Sequence, residues 1–234
     1  MVLFVFGLIF GSFFNVCIYR IPKNLSIFFP YSFCPNCKKP IKWYHNIPVI
    51  SYMFLKGRCY YCSKKISIKY PIIELLTGIL FVIFFLKFGL EKIYFFYIII
   101  AGYLIILSAI DFETKEIPDI LILILFIIGL IFCIVEINKI NIFEGIISCI
   151  TAGFLIFVLN FFSNEKIGEG DIKLMAGLAL PAGFVLSVNI IFFSFILGGI
   201  FSFIFLFFNK NHKRQSVAFV PFIFLSFVLN VLML

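Results

Sequence analysis

Charge is what this sequence has least of. Charged residues make up 13% of the 234 and hydrophobic residues 63%, against soluble norms of about 25% and roughly 45–50%. That excludes a soluble globular domain, because no core of this length hides so much apolar surface from water. Lipid does, and a helix crossing it needs about 20 mostly apolar residues. A basic n-region and an A-x-A-like cleavage site are also missing around the first apolar run. Met1 to Ile18 is therefore expected to be the first membrane helix, stopped at the interface by Arg20, rather than a removable signal peptide. No glycine-rich strand-to-helix fingerprint occurs, so no nucleotide-like cofactor site can be derived from a phosphate-binding turn. Acidic residues are absent between Arg20 and Pro71, a stretch with ten Lys/Arg, while the rest of the chain carries nine basic and eleven acidic residues. The net charge of +8 thus originates in this one loop.

What is there is a series of apolar runs, 36 phenylalanines among them, with a mean hydropathy of +1.18. Breaks at charged and Pro/Gly clusters give segments at about 1–19, 72–90, 93–110, 119–137, 141–162, 171–183, 184–208 and 215–233. The stretch from Gly170 to Phe208 is too long for one crossing, and Pro181-Ala182-Gly183 is its natural turning point. The expectation is an all-α polytopic membrane protein of about eight transmembrane helices, or seven if Ile172 to Pro181 only dips into the membrane. The positive-inside rule places the basic loop in the cytoplasm. The loops at Asp111–Pro118, Ser163–Gly170 and Asn209–Gln215 follow on the same side, the last with Lys210, Lys213 and Arg214. Loops near Lys87–Lys92 and Asn138–Lys139 and the C-terminus face outward. Topology and lipid headgroups account for the basic loop, so no nucleic-acid partner is expected.

Seven cysteines divide into two kinds. Cys17, Cys133 and Cys149 stand singly in apolar helices, as small packing residues do. Cys34-Pro35-Asn36-Cys37 and Cys59-Tyr60-Tyr61-Cys62 lie in the basic loop. Each Cys-x-x-Cys turn brings two thiolates to one side, and two such turns supply four sulfurs for a tetrahedral Zn²⁺. The alternative is disulfides or metal-free thiols, and a cytoplasmic location disfavours disulfides. A closed four-thiolate site is structural, and a polar segment of this size needs such a staple.

Carboxylates at membrane depth are costly and point to function. Asp111 ends the run Leu107-Ser108-Ala109-Ile110-Asp111, and Asp171 opens a helix after Gly168-Glu169-Gly170. Both are expected at cytoplasmic helix ends, where they can approach each other across a bundle. Two facing carboxylates titrate as a unit, so one can activate a water while the other polarises a peptide carbonyl. The glycines before Asp171 leave room for a substrate backbone. Against this, Asp171 can be a helix-start residue complementing the macrodipole, and Asp111 a polar marker of a helix exit. Asp119 competes for the dyad, although its place after Pro118 suits a helix cap. Glu113, Glu116, Glu165 and Glu169 fit water-exposed loops. Glu74, about one turn inside the second helix, faces the bundle interior or the basic loop, as an ion-pair partner or part of a second site.

Several separated strings together resemble one family. Gly11-Ser12-Phe13-Phe14-Asn15-Val16-Cys17-Ile18-Tyr19-Arg20-Ile21-Pro22 is similar to the first-helix signature of the type IV prepilin peptidases, membrane aspartyl proteases of the Gly-x-Gly-Asp type. The two cysteine pairs follow, enclosing Trp43-Tyr44-His45-Asn46-Ile47-Pro48-Val49-Ile50-Ser51-Tyr52. Then come Ile66-Ser67-Ile68-Lys69-Tyr70-Pro71 and Glu74-Leu75-Leu76-Thr77-Gly78. Ile110-Asp111 through Ile117-Pro118-Asp119 and Gly168-Glu169-Gly170-Asp171-Ile172-Lys173-Leu174 resemble the two catalytic-aspartate motifs.

The resemblance covers nearly the whole chain. It implies an endopeptidase of the bacterial inner membrane that removes the basic leader of type IV prepilins or type II secretion pseudopilins at the cytoplasmic face. It also implies methylation of the new N-terminal amine with S-adenosylmethionine. Carried over by position, Asp111 and Asp171 are the peptidase aspartates. Cys34, Cys37, Cys59 and Cys62 are the metal-binding cysteines of a methylation-linked cytoplasmic domain. The implied organisation is a first transmembrane helix over 1–19, a basic Cys₄ zinc domain over 20–71 and a multi-helix peptidase domain over 72–234. One departure stands out: Ala218-Phe219-Val220-Pro221-Phe222 has Val220 where the family has Gly, which puts the local backbone in question. A non-enzymatic transporter or assembly scaffold is the competing reading. Transporter carboxylates, however, lie near the midplane in broken helices rather than beside loops.

Overall fold

Apolar residues at helical spacing with few breakers give a structure made of helices, seen in a computed structural model that describes residues 1–135, 142–162, 168–208 and 217–234. The helices are α1 (Val2–Arg20), a short α2 (Ile50–Phe54), α3 (Lys69–Phe88), α4 (Lys92–Thr114), α5 (Asp119–Val135), α6 (Ile142–Phe162), α7 (Glu169–Phe208) and α8 (Val220–Met233). Among the described residues, extended pairing is limited to two isolated bridges, Phe33 with Pro40 and Arg58 with Lys65. Among the described residues, five helical stretches are long and apolar enough to cross a membrane: Val2–Lys23, Lys69–Phe88, Lys92–Thr114, Ile142–Phe161 and Glu169–Phe205. Asp119–Val135 and Val220–Met233 are apolar but shorter. Their outward faces suit hydrocarbon. On α5, Ile120, Leu123, Ile127, Ile131 and Ile134 are exposed at helical spacing, where a soluble helix carries polar residues. The expected loop at Asn138–Lys139, and Lys210, Lys213, Arg214 and Glu165 in the other loops, lie outside the described residues.

The turning point anticipated in the longest stretch is visible as a break. The helix α7 covers 40 residues, contains Pro181, and is interrupted at Gly183, where φ is 73° and ψ is 175°. Only glycine adopts that backbone at little cost. The interruption frees the Leu180 carbonyl from a regular ladder, and the Cys133 thiol donates to it at 3.5 Å. Gly129 and Gly145 make room for the same corner: a Cβ on Gly145 would lie 2.7 Å from the Leu180 oxygen, and one on Gly129 would lie 3.0 Å from Pro181 Cδ. Cys133, expected to be a packing residue, is buried and also covers a carbonyl.

The chain divides into two compact units, Met1–Ile106 and Leu107–Leu234. In the first, α1 packs on α3 at backbone distance. A Cβ on Gly7 would meet Gly78 Cα at 2.7 Å, and one on Gly11 would meet Glu74 Cα at 2.7 Å. Small residues four apart allow such an approach where no hydrophobic drive separates helix from lipid. Asn15 Nδ2 donates to the Tyr70 carbonyl at 3.1 Å and fixes the register of the pair. Beyond α1, the buried Arg20 guanidinium donates to the carbonyls of Ser26 (2.8 Å), Ile27 (3.1 Å) and Pro30 (2.6 Å), so it anchors the start of the loop as well as ending the helix. In the second unit α7 packs against α5, α6 and α8.

Gly11→Val is expected to force α1 off α3, with an overpacking cost of about 1–3 kcal/mol. Thermal unfolding of detergent-solubilised protein checks this: a clear fall in midpoint for Gly11→Val, with little change for Ile9→Val on the exposed face of the same helix.

Candidate functional site

In the second unit, two carboxylates from different helices lie within electrostatic reach of each other. Asp111 lies in the last turn of α4, which runs on to Thr114 rather than ending at Ile110 as the sequence suggested. The extension has a local cause. Thr114 Oγ1 donates to the Ile110 carbonyl at 3.0 Å, and Lys115, at φ 59°, closes the helix with its N–H on the Asp111 carbonyl at 2.9 Å. Its carboxylate therefore turns into the protein and is only 6% exposed. Asp111 Oδ2 accepts the backbone N–H of Val220 at 3.1 Å, and the Phe219 backbone also donates to it. These amides open α8, so the carboxylate occupies the anion-receiving end of a helix.

Asp171 sits in the first turn of α7, where its backbone N–H donates to the Gly168 carbonyl at 3.0 Å. It is half-buried, and its carboxylate is within electrostatic reach of Asp111. The glycines that precede it are used differently from each other. A Cβ on Gly168 would press on Asp171 Oδ2 at 3.3 Å, whereas one on Gly170 would meet the Ile117 side chain at 3.2 Å. Gly168 thus keeps the carboxylate's flank open, and Gly170 admits Ile117.

Asp119 is not brought to this pair. It opens α5, accepts from Lys173 Nζ at 2.8 Å, and its side chain is 78% exposed. The valine that stood in doubt is also accounted for. Val220 belongs to α8, and its predecessor Phe219 has φ −95° and ψ −29°. The backbone is right-handed there, so no glycine is required. The amide donors from Phe219 and Val220 were not legible in the sequence, since a main-chain N–H leaves no mark on residue type. Neither was the Ser108 hydroxyl, which is buried without a partner one turn before Asp111.

The first unit holds the cysteine cluster. Cys34, Cys37, Cys59 and Cys62 each offer one sulfur, and the four lie within 4.8 Å of one another. A tetrahedron with Zn–S bonds near 2.3 Å has edges of about 3.8 Å, close to the 4.0 Å between the Cys34 and Cys62 sulfurs. The donor set and its size thus fit a metal ion such as zinc. The two turns repeat one construction. Lys38 N–H donates to Cys34 O at 2.9 Å and Cys34 N–H to Lys39 O at 3.0 Å; Ser63 N–H donates to Cys59 O at 2.9 Å and Cys59 N–H to Lys64 O at 2.9 Å. The fourth residue after each leading cysteine is left-handed, Lys38 at φ 60° and Ser63 at φ 56°. All seven cysteines are free of disulfides.

Beside the cluster, the loop is tied to the head of α3 by Glu74. This residue is 7% exposed, and its Oε2 accepts the Val49 N–H at 2.7 Å. The Ser12 side chain also hydrogen-bonds to it. Both placements weighed for Glu74 are met, since it bonds the Val49 amide of the basic loop and Ser12 on α1. Val49 has φ 60° and ψ −50°, a conformation that a β-branched residue adopts only under constraint.

Two family models match consecutive parts of the chain: the bacterial peptidase A24 N-terminal domain over residues 5–88 and the type IV leader peptidase family over residues 98–203. Curated relatives named prepilin leader peptidase/N-methyltransferase include one from Klebsiella pneumoniae, 39% identical over 77% of this chain and 84% of its own length. The Bacillus subtilis relative is 34% identical over 94% and 88%, and that of Vibrio cholerae 32% identical over 96% and 93%. No solved structure matches the chain.

With metal removed, Cys62 is the thiol expected to react first. The Lys64 backbone N–H and the Asn36 amide, 3.6 Å away, donate to its sulfur and bring its pKa down to about 6, so it is mostly thiolate at neutral pH. Alkylation of the chelated protein followed by peptide mapping should label Cys62 ahead of Cys37, whose thiol is held up at about 11, and restoring metal should protect all four. Equal labelling of all four in the chelated protein would contradict this account.

Proposed function

Because the chain belongs to the type IV leader peptidase family, we propose that Asp111 and Asp171 are the catalytic pair of a membrane aspartyl endopeptidase. Its substrates are type IV prepilins or type II secretion pseudopilins, from which it removes the basic leader before methylating the new N-terminus. The observation that carries the proposal is a pair of carboxylates in electrostatic contact, set at the last turn of one apolar helix and the first turn of another. Like charges at short range share a proton, so the pair titrates as one unit. The ionised member takes a proton from water as the water oxygen attacks the peptide carbonyl. The protonated member hydrogen-bonds the carbonyl oxygen and later supplies a proton to the leaving amine. The amides of Phe219 and Val220 orient Asp111 through this exchange, which makes them positioning groups.

The topology proposed with this chemistry is the one derived from charge, in about eight crossings, with the helix ends bearing both aspartates at the cytoplasmic face. A prepilin is a membrane helix with a positively charged leader, so its scissile bond is presented at that depth. The Cys₄ cluster is proposed as a structural zinc site that staples the cytoplasmic domain over 20–71, and the peptidase domain as 72–234. S-adenosylmethionine, when bound, supplies an electrophilic methyl group for the amine that cleavage exposes. A transporter or scaffold has no use for a carboxylate pair beside loops, which ranks that reading second.

Leader removal from a prepilin in liposomes, read by N-terminal mass, is expected to fall by at least about 10²–10⁴-fold in Asp111→Asn and in Asp171→Asn. Asp119→Asn should cut at close to the wild-type rate, since an exposed ion pair contributes less than about 1 kcal/mol. Activity surviving in Asp111→Asn and lost in Asp119→Asn would reassign the pair. Purified protein is also expected to carry one zinc per chain by elemental analysis, and Cys37→Ser to carry none.

A further inference from the structure

Peptide cleavage occupies the second unit and leaves an apolar segment of the first unit unexplained. Leu25-Ser26-Ile27-Phe28-Phe29-Pro30-Tyr31 follows the end of α1, and its large side chains stand clear of the protein: Phe28 is 77% exposed, Phe29 68% and Tyr31 79%. A loop in water carries polar residues at such positions. A cluster of exposed aromatic rings marks a contact with another surface.

The segment is held in this form by its backbone. Asn24, at φ 54°, turns the chain back on the end of α1, where the Leu25 N–H donates to the Arg20 carbonyl at 3.0 Å. The buried Arg20 guanidinium takes the carbonyls of Ser26, Ile27, Pro30 and Tyr31 at 2.6 to 3.4 Å. The Phe29 N–H donates to Ser26 Oγ at 3.3 Å. Polar backbone is thus satisfied inward while the rings are left outside. Phe33, two residues on, goes the other way, with its ring 6.5 Å from Tyr19 and 5.6 Å from the Arg20 guanidinium. Exposure is therefore selective along the loop. The depth follows from α1, whose 19 residues end at Arg20. They span about 28 Å, close to the hydrocarbon thickness of about 30 Å. One arginine side chain separates that boundary from the segment, which places the rings level with the headgroups.

We propose that residues 25–31 form an interfacial anchor that beds Phe28, Phe29 and Tyr31 among the headgroups of anionic lipids, independently of the peptidase chemistry. Charge selects this occupant. Between Arg20 and Pro71 there are ten Lys/Arg and no acidic residue. Two of these cations stand beside the segment: Lys23 Nζ lies 3.5 Å from the Tyr19 ring centroid and Lys38 Nζ 5.7 Å from that of Phe33. Aromatic rings and cations at one depth are the composition of a membrane interface, and the ammonium groups favour anionic headgroups over zwitterionic ones. The same charges repel a basic leader and a second copy of this loop. The segment also continues, along the chain, the exposed apolar residues Phe6, Ile9, Phe10 and Phe13 of α1, which suit lipid. Cys34 comes three residues after Tyr31, so the anchor sets the depth at which the first cysteine turn sits.

The test uses the whole chain reconstituted in vesicles. Trp43 is the one tryptophan and is exposed, so Trp43→Phe gives a silent background in which Phe28→Trp reports on the segment alone. Tyr31→Trp in the same background is the second reporter should the first not fold. The vesicles are phosphatidylcholine alone or mixed with phosphatidylglycerol, each with acyl chains brominated near the headgroup. With phosphatidylglycerol, the emission is expected to shift to the blue, to be quenched by bromine and to be protected from aqueous acrylamide. With phosphatidylcholine alone, quenching and protection are expected to be weaker. Emission of a water-exposed indole in both vesicles overturns the anchor. Emission protected from acrylamide yet unquenched by bromine also overturns it and gives the surface to a protein partner. Equal quenching in the two lipids overturns the anionic headgroup as the partner.

Discussion

A carboxylate inside a membrane helix needs a donor to face, and in this chain Asp111 faces the start of another helix. The last turn of α4 aims the carboxylate inward, and α8 meets it with the N–H groups of Phe219 and Val220. This single contact joins residues 109 positions apart. It ties α8 to α4, and with α7 packed on α8 it fixes the helix that carries Asp171. Truncating Asp111 would therefore remove both a reacting group and the partner of a helix terminus, which is why asparagine, neutral yet still able to accept from the Val220 amide, is the informative substitution.

The first unit solves a different problem. A loop whose charged residues are all basic is hard to compact by burial alone, because like charges oppose it. It is held instead by local devices of high specificity: the Arg20 guanidinium capturing four carbonyls, the paired cysteine turns, and the Glu74 carboxylate on the Val49 amide. Each fixes backbone directly, so the loop attains defined geometry without a large core.

What the sequence revealed and what it hid follow from which atoms do the work. The cysteine pairs, Asp111 and Asp171 were readable because side-chain chemistry and spacing name them. The break in α7 was readable because Pro181 and Gly183 interrupt a run too long for one crossing. The end of α4 was not, since it depends on Lys115 taking a left-handed conformation that lysine does not advertise. Asp119 was set apart in the sequence by its place after Pro118, and the difference in burial separates it from Asp111 in the structure. The crossing of α1 on α3 was hidden because Gly7 and Gly11 acquire meaning only beside Gly78 and Glu74.

The Val220 amide carries a lesson about how such a site evolves. A main-chain donor is supplied by every residue except proline, so the position can drift from glycine to valine while the proton it offers Asp111 stays in place. The constraint there falls on the path of the backbone and leaves the side chain to the packing of the buried face of α8. A survey that scores functional importance by residue identity would rank this position low, and an alanine scan would pass over it, although it touches one of the two aspartates directly.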